Sequence, residues 1–271
     1  MRGNITDMSF RSLEDYLVSR PLTIDGTGYD GGGAPFPVKG REIDATILFA
    51  DIANFSGRTS DLSPGETLAF VNHFLTWIAA EALAHSDGII DKYIGDEIMM
   101  VFSHEFGSDD PFAEAVSIAR RFGEDDVFSF QPHIGIASGP VIVGYVGTPR
   151  KYACSVFGST VAIAARCAGI RASKKPIGAS IVFPAIEWST RDFAKLFPPK
   201  LYKYPEGDVQ QIETGWEMFE PRTEPFKNMG SMEVICIENR AFHVTSVSTA
   251  EWAKREVARI RAEYGRENRG T

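Results

Sequence analysis

Apolar positions fall along this chain in two periods. Ala45-Thr46-Ile47-Leu48-Phe49-Ala50 is a nearly unbroken apolar run, the pattern of a strand covered on both faces. It predicts a central strand over 44–51 that ends at Asp51. From Ser63 the period becomes helical: Leu68, Val71, Leu75 and Ile78 recur, to about residue 84. Ser63-Pro64-Gly65-Glu66 supplies a capping box with proline at the first helical position. Residues 88–94 and 97–102 predict a hairpin whose turn, Gly95-Asp96, suits a glycine-first geometry. Asp110-Pro111 opens a second helix, 111–122, with Phe112, Ala115, Val116 and Ala119 inward. Residues 133–138 and 141–146 read as a second hairpin about Ser138-Gly139-Pro140. A third helix is predicted over 158–171.

The order β-α-β-β-α-β is the split βαβ, ferredoxin-like α+β pattern, with helices on one face of an antiparallel-type sheet. In that topology the first and third strands are neighbours. Asp51 and the Asp96 turn then meet, although they lie far apart in sequence. Two carboxylates at neighbouring strand ends form an oxygen-rich site for Mg²⁺ or Mn²⁺, ions that work on phosphates. The pair points to a nucleotide enzyme.

The flanks are less regular. Residues 1–22 hold one short amphipathic helix with Phe10, Leu13, Tyr16 and Leu17 on one side, either a flexible arm or a strap across a partner subunit. Residues 23–41 carry Gly26, Gly28, Gly31, Gly32, Gly33, Gly40, Pro35 and Pro37 and read as a loop or linker. Residues 186–245 are aromatic and irregular, with strands near 212–219 and 231–238. Ser248-Thr249-Ala250-Glu251 caps a basic tail helix that ends near Gly265. The chain divides into an arm and linker (1–42), a main domain (43–245), and a C-terminal helix and tail (246–271).

Composition narrows the classes. With 271 residues and 44% hydrophobic content, the chain can build a substantial core. A net charge of −8 argues against a nucleic-acid binder, which needs a basic face. Cys154, Cys167 and Cys236 show neither metal-ligand spacing nor an even disulfide set, as expected of free thiols in a reducing cytoplasm. No signal peptide is read at the N-terminus. No stretch is expected to supply the roughly 20 apolar residues of a membrane span.

Several motifs now fall into register. Phe49-Ala50-Asp51-Ile52-Ala53-Asn54-Phe55-Ser56 resembles the first metal motif of class III nucleotidyl cyclases, and Lys92-Tyr93-Ile94-Gly95-Asp96 their lysine and second-metal motif. His133–Gly139, Val143-Gly144-Tyr145-Val146-Gly147 and Ala162-Ile163-Ala164-Ala165-Arg166 continue the match in order. Phe226-Lys227-Asn228-Met229-Gly230 resembles the C-terminal phosphate element. The resemblance implies a head-to-tail homodimer with shared active sites. Asp51 and Asp96 would hold two Mn²⁺ or Mg²⁺ ions, with the Ile52 carbonyl as a further ligand. Backbone N–H groups of Ala53–Ser56, including Phe55 and Ser56, would cradle phosphates of a nucleoside triphosphate. Arg166, from the other subunit, would stabilise the transition state as pyrophosphate leaves. Lys92 and residue 155 would read the base.

The departures from the family pattern matter as much. Ala162 replaces the asparagine usual four positions before the arginine. Ser155 stands where relatives select adenine with aspartate or threonine and guanine with cysteine, and Cys154 is displaced by one. Met229 replaces a phosphate-binding lysine. The glycine-rich and aromatic segments 144–149, 152–158 and the C-terminal section resemble the pyrimidine cyclases of bacterial Pycsar-type anti-phage systems. That implies UTP, with CTP as alternative, a cyclic pyrimidine messenger, and a separate effector protein. The alternatives are an adenylyl cyclase, supported by Lys92, and a nucleotide-binding regulatory module without activity. A diguanylate cyclase ranks low, because Gly95-Asp96-Glu97-Ile98 lacks that family's second glycine.

Overall fold

The computed structural model describes residues 10–126, 130–148, 151–174, 178–189, 191–203, 209–212, 215–240, 255 and 258–263. Its centre is strand β2 (Pro35–Asp51), flanked by β4 (Glu97–Phe102) and β5 (His133–Thr148), both antiparallel to it. The β2–β5 ladder runs without a break from Gly40↔Gly144 to Asp51↔His133. Outward from this core lie β3 (Ile89–Ile94) beyond β4, and β7 (Ser180–Pro184), β12 (Gly230–Asn239) and β10 (Trp216–Met218) beyond β5. Three more strands join by the side: β1 (Ile24–Tyr29) on β2, β6 (Lys151–Phe157) on β5, and β11 (Arg222–Phe226) on β12. The described residues thus form one ten-stranded mixed sheet, plus a small separate hairpin, β8 (Lys200–Lys203) with β9 (Val209–Ile212). This is the α+β class expected.

The apolar run in β2 explains how the layers assemble. Side chains alternate along a strand. Leu48 and Ala50 enter one cluster with Phe70, Phe74 and Ile78 of α3 (Pro64–His85) and Phe112, Ala115 and Val116 of α4 (Pro111–Glu124). Ile43, Ala45, Ile47 and Phe49 enter another with Leu13, Tyr16 and Leu17 of α1 (Leu13–Ser19) and Ala164 and Ala168 of α5 (Ser159–Ala168). Helices therefore cover both faces, which corrects the one-face expectation and agrees with the double-sided strand.

Helix starts follow the sequence signals closely. Ser63 and Glu66 form the reciprocal capping box of α3, and Asp110 caps α4 through Ala113 N–H. The inward face of α3 differs from the periodicity chosen: Phe70, Phe74, Ile78 and Ala82 are buried, whereas Leu68 is 62% exposed. The larger aromatic rings take the core side because they bury more area. By length and composition α3 is apolar enough to cross a membrane, contrary to the expectation that no stretch is; four of its side chains pack into the core against the sheet.

Three segments depart from the sequence reading. Residues 133–146 are one continuous strand, not a hairpin. Ser138-Gly139-Pro140 passes straight along β2, with Gly139 at φ 152° and Pro140 opposite Asp44. Pro140 is tolerated because it falls where the far edge of β5 is unpaired, between the β7 contact ending at Gly135 and the β6 contact starting at Ile142. The hairpin partner of β5 is instead β6. The glycine-rich stretch 23–41 is not a loop but the β1–β2 hairpin, in register from Ile24↔Gly40 to Tyr29↔Pro35; the Asp30 carboxylate accepts from Gly32 and Ala34 N–H at its turn. Finally, α1 is no free arm. A seven-residue helix is unstable alone, but Leu13, Tyr16 and Leu17 are buried, each worth on the order of 1.5–3 kcal/mol. Arg41 Nε donates to Tyr16 Oη (2.8 Å), and Arg41 pairs with Glu105 at 3.1 Å. Most of the expected tail helix, from Ser248 to near Gly265, lies outside the described residues; 258–263 are helical.

Gly135 permits a close helix–sheet approach. A Cβ there would overlap the Ala164 carbonyl and the Ala168 N–H of α5. Gly135→Ala is expected to cost roughly 1–3 kcal/mol by overpacking, read as a lower midpoint in chemical denaturation with an unchanged slope.

Candidate active site

Antiparallel pairing of β2 with β4, ending at Ala50↔Ile98, carries the β3–β4 turn to the end of β2. Gly95 takes φ 65° there and Asp96 does not have positive φ, so glycine supplies the first turn position as expected. Asp51 and Asp96 come together: the backbone at Ile52 acts on the Asp96 carboxylate in the lowering sense, and Asp96 is among the charges that act on Asp51. Burial, then the negative charges of Asp96 and Glu97, push Asp51 up to about 7. Burial, then Asp96, pushes Glu97 up to about 7, and burial raises Asp96. Asp51 Oδ1 is buried with no hydrogen-bond partner. His133 Nδ1 lies 3.8 Å away, but burial, helped by Arg171 and Arg58, holds that imidazole down to about 4. It is neutral near pH 7 and gives Asp51 no counter-charge.

Three mutually repelling carboxylates and one orphaned oxygen are what a bound cation would relieve. Among the described residues no three His, Cys, Asp or Glu side chains converge on one point to hold a metal. A site here would therefore combine Asp51 and Asp96 with backbone carbonyl, water and substrate phosphate. That all-oxygen, carboxylate-poor set fits Mg²⁺ or Mn²⁺.

Lys92 and Ser155 also meet. Lys92 Nζ donates to Ser155 Oγ, and Ser155, 2% exposed, donates to Asp91 Oδ2 at 2.7 Å. Lys92 Nζ also lies 3.2 Å from Asp91 Oδ2 and 5.8 Å from the centre of the Phe157 ring. Met99 and Val101 of β4 share a buried cluster with Val143 and Val156, so the β5–β6 hairpin lies over that face of the sheet and brings Ser155 to β3. The neighbouring Cys154 thiol is pushed up to about 11, by burial first and then by Glu14 and Asp91, and stays protonated.

The remaining expected residues are dispersed. Ile52 is buried. Phe55 opens the short helix α2 (Phe55–Thr59) after Asn54 at φ 54°, and is half-buried against the core; Ser56 is exposed. Of the expected phosphate cradle, Ala53 is not available, since its N–H donates to the Phe130 carbonyl at 3.3 Å. Arg166 sits in the last turn of α5 with Nη1 2.8 Å from Met229 Sδ; its described hydrogen bond leads there, not to the Asp51–Asp96 pair. A cleft of about 340 Å³ lined by Thr46, Ser138, Glu187 and Arg191 contains none of the expected residues. Sequence reading missed Glu97, Asp91 and His133. Glu97 and Asp91 were readable as charges interrupting apolar strands; His133 is apparent only from its register opposite Asp51.

The raised carboxylates fix a sign. In the unfolded chain they ionise near 4; in the folded chain their ionisation is resisted up to about 7. Metal-free stability is therefore expected to fall as pH rises from about 4 to about 7, against a smaller opposite contribution from His133, which is held down to about 4 and so favours folding as pH rises through the ordinary imidazole range. Thermal unfolding should show this fall, a smaller one in Asp51→Asn, and a rise in melting temperature on adding Mn²⁺ near pH 7 that Asp51→Asn lacks.

Comparison with known proteins gives these groups a family context. Residues 38–175 match the family described as the adenylate and guanylate cyclase catalytic domain. An adenylate cyclase of Anabaena cylindrica is 29% identical over 155 residues, covering 51% of this chain and 30% of that protein. The terminal-differentiation specific adenylate cyclase of Dictyostelium discoideum is 29% identical over 129 residues, 45% of this chain and 6% of that protein. The chain thus spans less than a third of these curated relatives. Among solved structures, a bacterial light-regulated adenylyl cyclase superposes with a TM-score of 0.57 at 18% identity, over 91% of this chain and 62% of that one. The guanylyl cyclase Cya2 gives 0.54 at 18% identity, over 78% and 98%. At such identities the superpositions speak to the fold. With half of its length matched by the family and both carboxylate motifs at adjoining strand ends, the chain belongs to the adenylate and guanylate cyclase catalytic domain family, the class III nucleotidyl cyclases.

Proposed function

We propose that this chain is a metal-dependent cyclase that converts a pyrimidine nucleoside triphosphate, UTP before CTP, to the 3′,5′-cyclic monophosphate and pyrophosphate. The observation that carries the choice of base is the buried Ser155 hydroxyl, joined to Lys92 at the position where relatives place aspartate, threonine or cysteine. Serine there is neither the adenine-selecting aspartate or threonine nor the guanine-selecting cysteine of the purine cyclases, which favours a pocket rebuilt for another base.

Class III cyclases in general depend on divalent metal. Two Mn²⁺ or Mg²⁺ ions held by Asp51, Asp96 and the Ile52 carbonyl would supply Lewis acidity that acidifies the ribose 3′-hydroxyl and neutralises the triphosphate. The rest falls to the chain. Phe55 and Ser56 place backbone N–H groups at the phosphates. Lys92 and Ser155 hold the base. The 3′-oxygen bonds to the α-phosphorus as the bond to pyrophosphate breaks, and the hydroxyl proton passes to solvent. Arg166 of the partner subunit balances charge on the α-phosphoryl group. Its described hydrogen bond, to Met229 and not to the Asp51–Asp96 pair of its own chain, supports sites shared across a homodimer.

The product would act as a messenger for a separate effector protein in antiviral defence, within the cytoplasm. Residues 43–245 would form the cyclase domain, with 1–42 as an N-terminal extension and 246–271 as a C-terminal one. An adenylyl cyclase is the second reading, favoured by Lys92 and by relatives named adenylate cyclases.

The test is a competition among equal ATP, GTP, CTP and UTP with Mn²⁺, products resolved by mass. Cyclic UMP or cyclic CMP is expected; cyclic AMP would install the second reading, and no product under any nucleotide would leave a binding module. Asp51→Ala and Arg166→Ala should each lose at least about a hundredfold in turnover. Mixing the two variants should restore part of it, because one heterodimeric site is intact; absence of rescue would reject shared sites.

A further inference from the structure

We infer that Asp91 sets the hydrogen-bonding polarity of the base-reading edge. This rests on the proposed role of Lys92 and Ser155 as base contacts and extends it to a residue outside the motifs. The β3–β4 ladder is regular to Ile90↔Met100 and resumes at Lys92↔Met99. Asp91 is the extra residue of that bulge. A bulge breaks the alternation of side chains and re-aims one of them. Asp91 and Lys92, although consecutive, therefore both reach Ser155.

The Asp91 side chain is 1% exposed. Burying a carboxylate is costly unless charge and hydrogen bonds compensate. Here the compensation is the Lys92 ammonium at 3.2 Å and the Ser155 hydroxyl at 2.7 Å. A serine hydroxyl has one proton and two lone pairs, and an ammonium has three donors. The Ser155 proton goes to Asp91, and one lone pair accepts from Lys92. What is left on Ser155 is a lone pair, so toward a third group it can only accept. Lys92 has a donor to spare beyond Ser155 and Asp91. The edge offered to a base is thus one committed acceptor beside one donor. It complements a base edge on which an N–H adjoins a carbonyl or ring nitrogen. Without Asp91, the Ser155 hydroxyl could turn and donate, and the edge would lose its sense.

Asp91 is in this account a positioning residue that acts through Ser155. The test uses the full chain with Mn²⁺ and measures kcat and KM for each of the four nucleotides. The proteins are the native one, Asp91→Asn, Ser155→Ala and the double variant. Asparagine can donate to Ser155 and so release its proton. Asp91→Asn is expected to raise KM for the preferred nucleotide about tenfold, more than it lowers kcat, and to narrow the preference to a similar extent. Ser155→Ala should do the same, with no further loss in the double variant. An Asp91→Asn protein that weakens on all four nucleotides alike, preference intact, overturns the inference. If Ser155→Ala loses preference and Asp91→Asn keeps it, Asp91 has no such role while the base-contact reading stands. If Ser155→Ala keeps its preference, the base-contact reading falls and the inference with it.

A second measurement does not depend on the Asp91 variant folding. The native protein and Ser155→Ala are compared on 3-methyl-UTP against UTP, or on N6,N6-dimethyl-ATP against ATP if ATP is preferred. A committed acceptor requires the N–H, so the native protein should reject the methylated form at least about tenfold and Ser155→Ala should reject it far less. Equal use of both forms by the native protein overturns the inference.

Discussion

The molecule depends on one strand being buried on both faces. β2 is hydrogen-bonded to β4 on one side and β5 on the other, and its alternating side chains seed the two main hydrophobic clusters. A strand in that position cannot slip by one residue, because every side chain would change face. Register is therefore fixed at its last residue as firmly as at its centre. Asp51 inherits that rigidity. So does Asp96, carried to the same end by β4, and so does His133, the register partner on β5.

Two polar clusters built on this frame differ in kind. Around Ser155 the groups compensate one another, ammonium, hydroxyl and carboxylate, with one acceptor site on Ser155 and one donor on Lys92 left over. Such a network is stable without a ligand and serves to hold one geometry. Around Asp51 the groups do not. Three carboxylates share a partly buried region, and the nearby imidazole is held neutral. That region is poised to receive positive charge. Strain confined to one end of a well-packed sheet is affordable because both hydrophobic clusters lie behind it. The contrast separates a surface that reads from a surface that waits for a cation.

The legible parts of this protein were those governed by local chemistry. Ser63 and Asp110 announced helix starts because a cap is a short-range hydrogen bond. Gly95 announced its turn because positive φ is a property of one residue. The illegible parts depended on distant partners. Ser138-Gly139-Pro140 has every local mark of a turn, yet it runs straight because β2 offers an unbroken ladder beside it. The glycines of 23–41 mark a loop locally, yet they pair as β1 and β2. Leu68 fits the helical stripe, yet faces outward, because Phe70 and Phe74 fill the core better.

The same division runs through the site. Sequence alone determined that Asp51 closes an apolar strand, that Asp96 follows a glycine in a hairpin turn, and that Lys92, Ser155 and Arg166 stand in cyclase-like register. Tertiary structure decided which of them touch. It joined Lys92 to Ser155 and added Asp91 through a bulge. It added Glu97 to the carboxylates and set Arg166 beside Met229 instead. The physical reason is range. Backbone preference and hydrophobic period act over a few residues and are written in order along the chain. Charge interaction and burial act through space, and only the folded sheet determines what lies within a few ångströms of what.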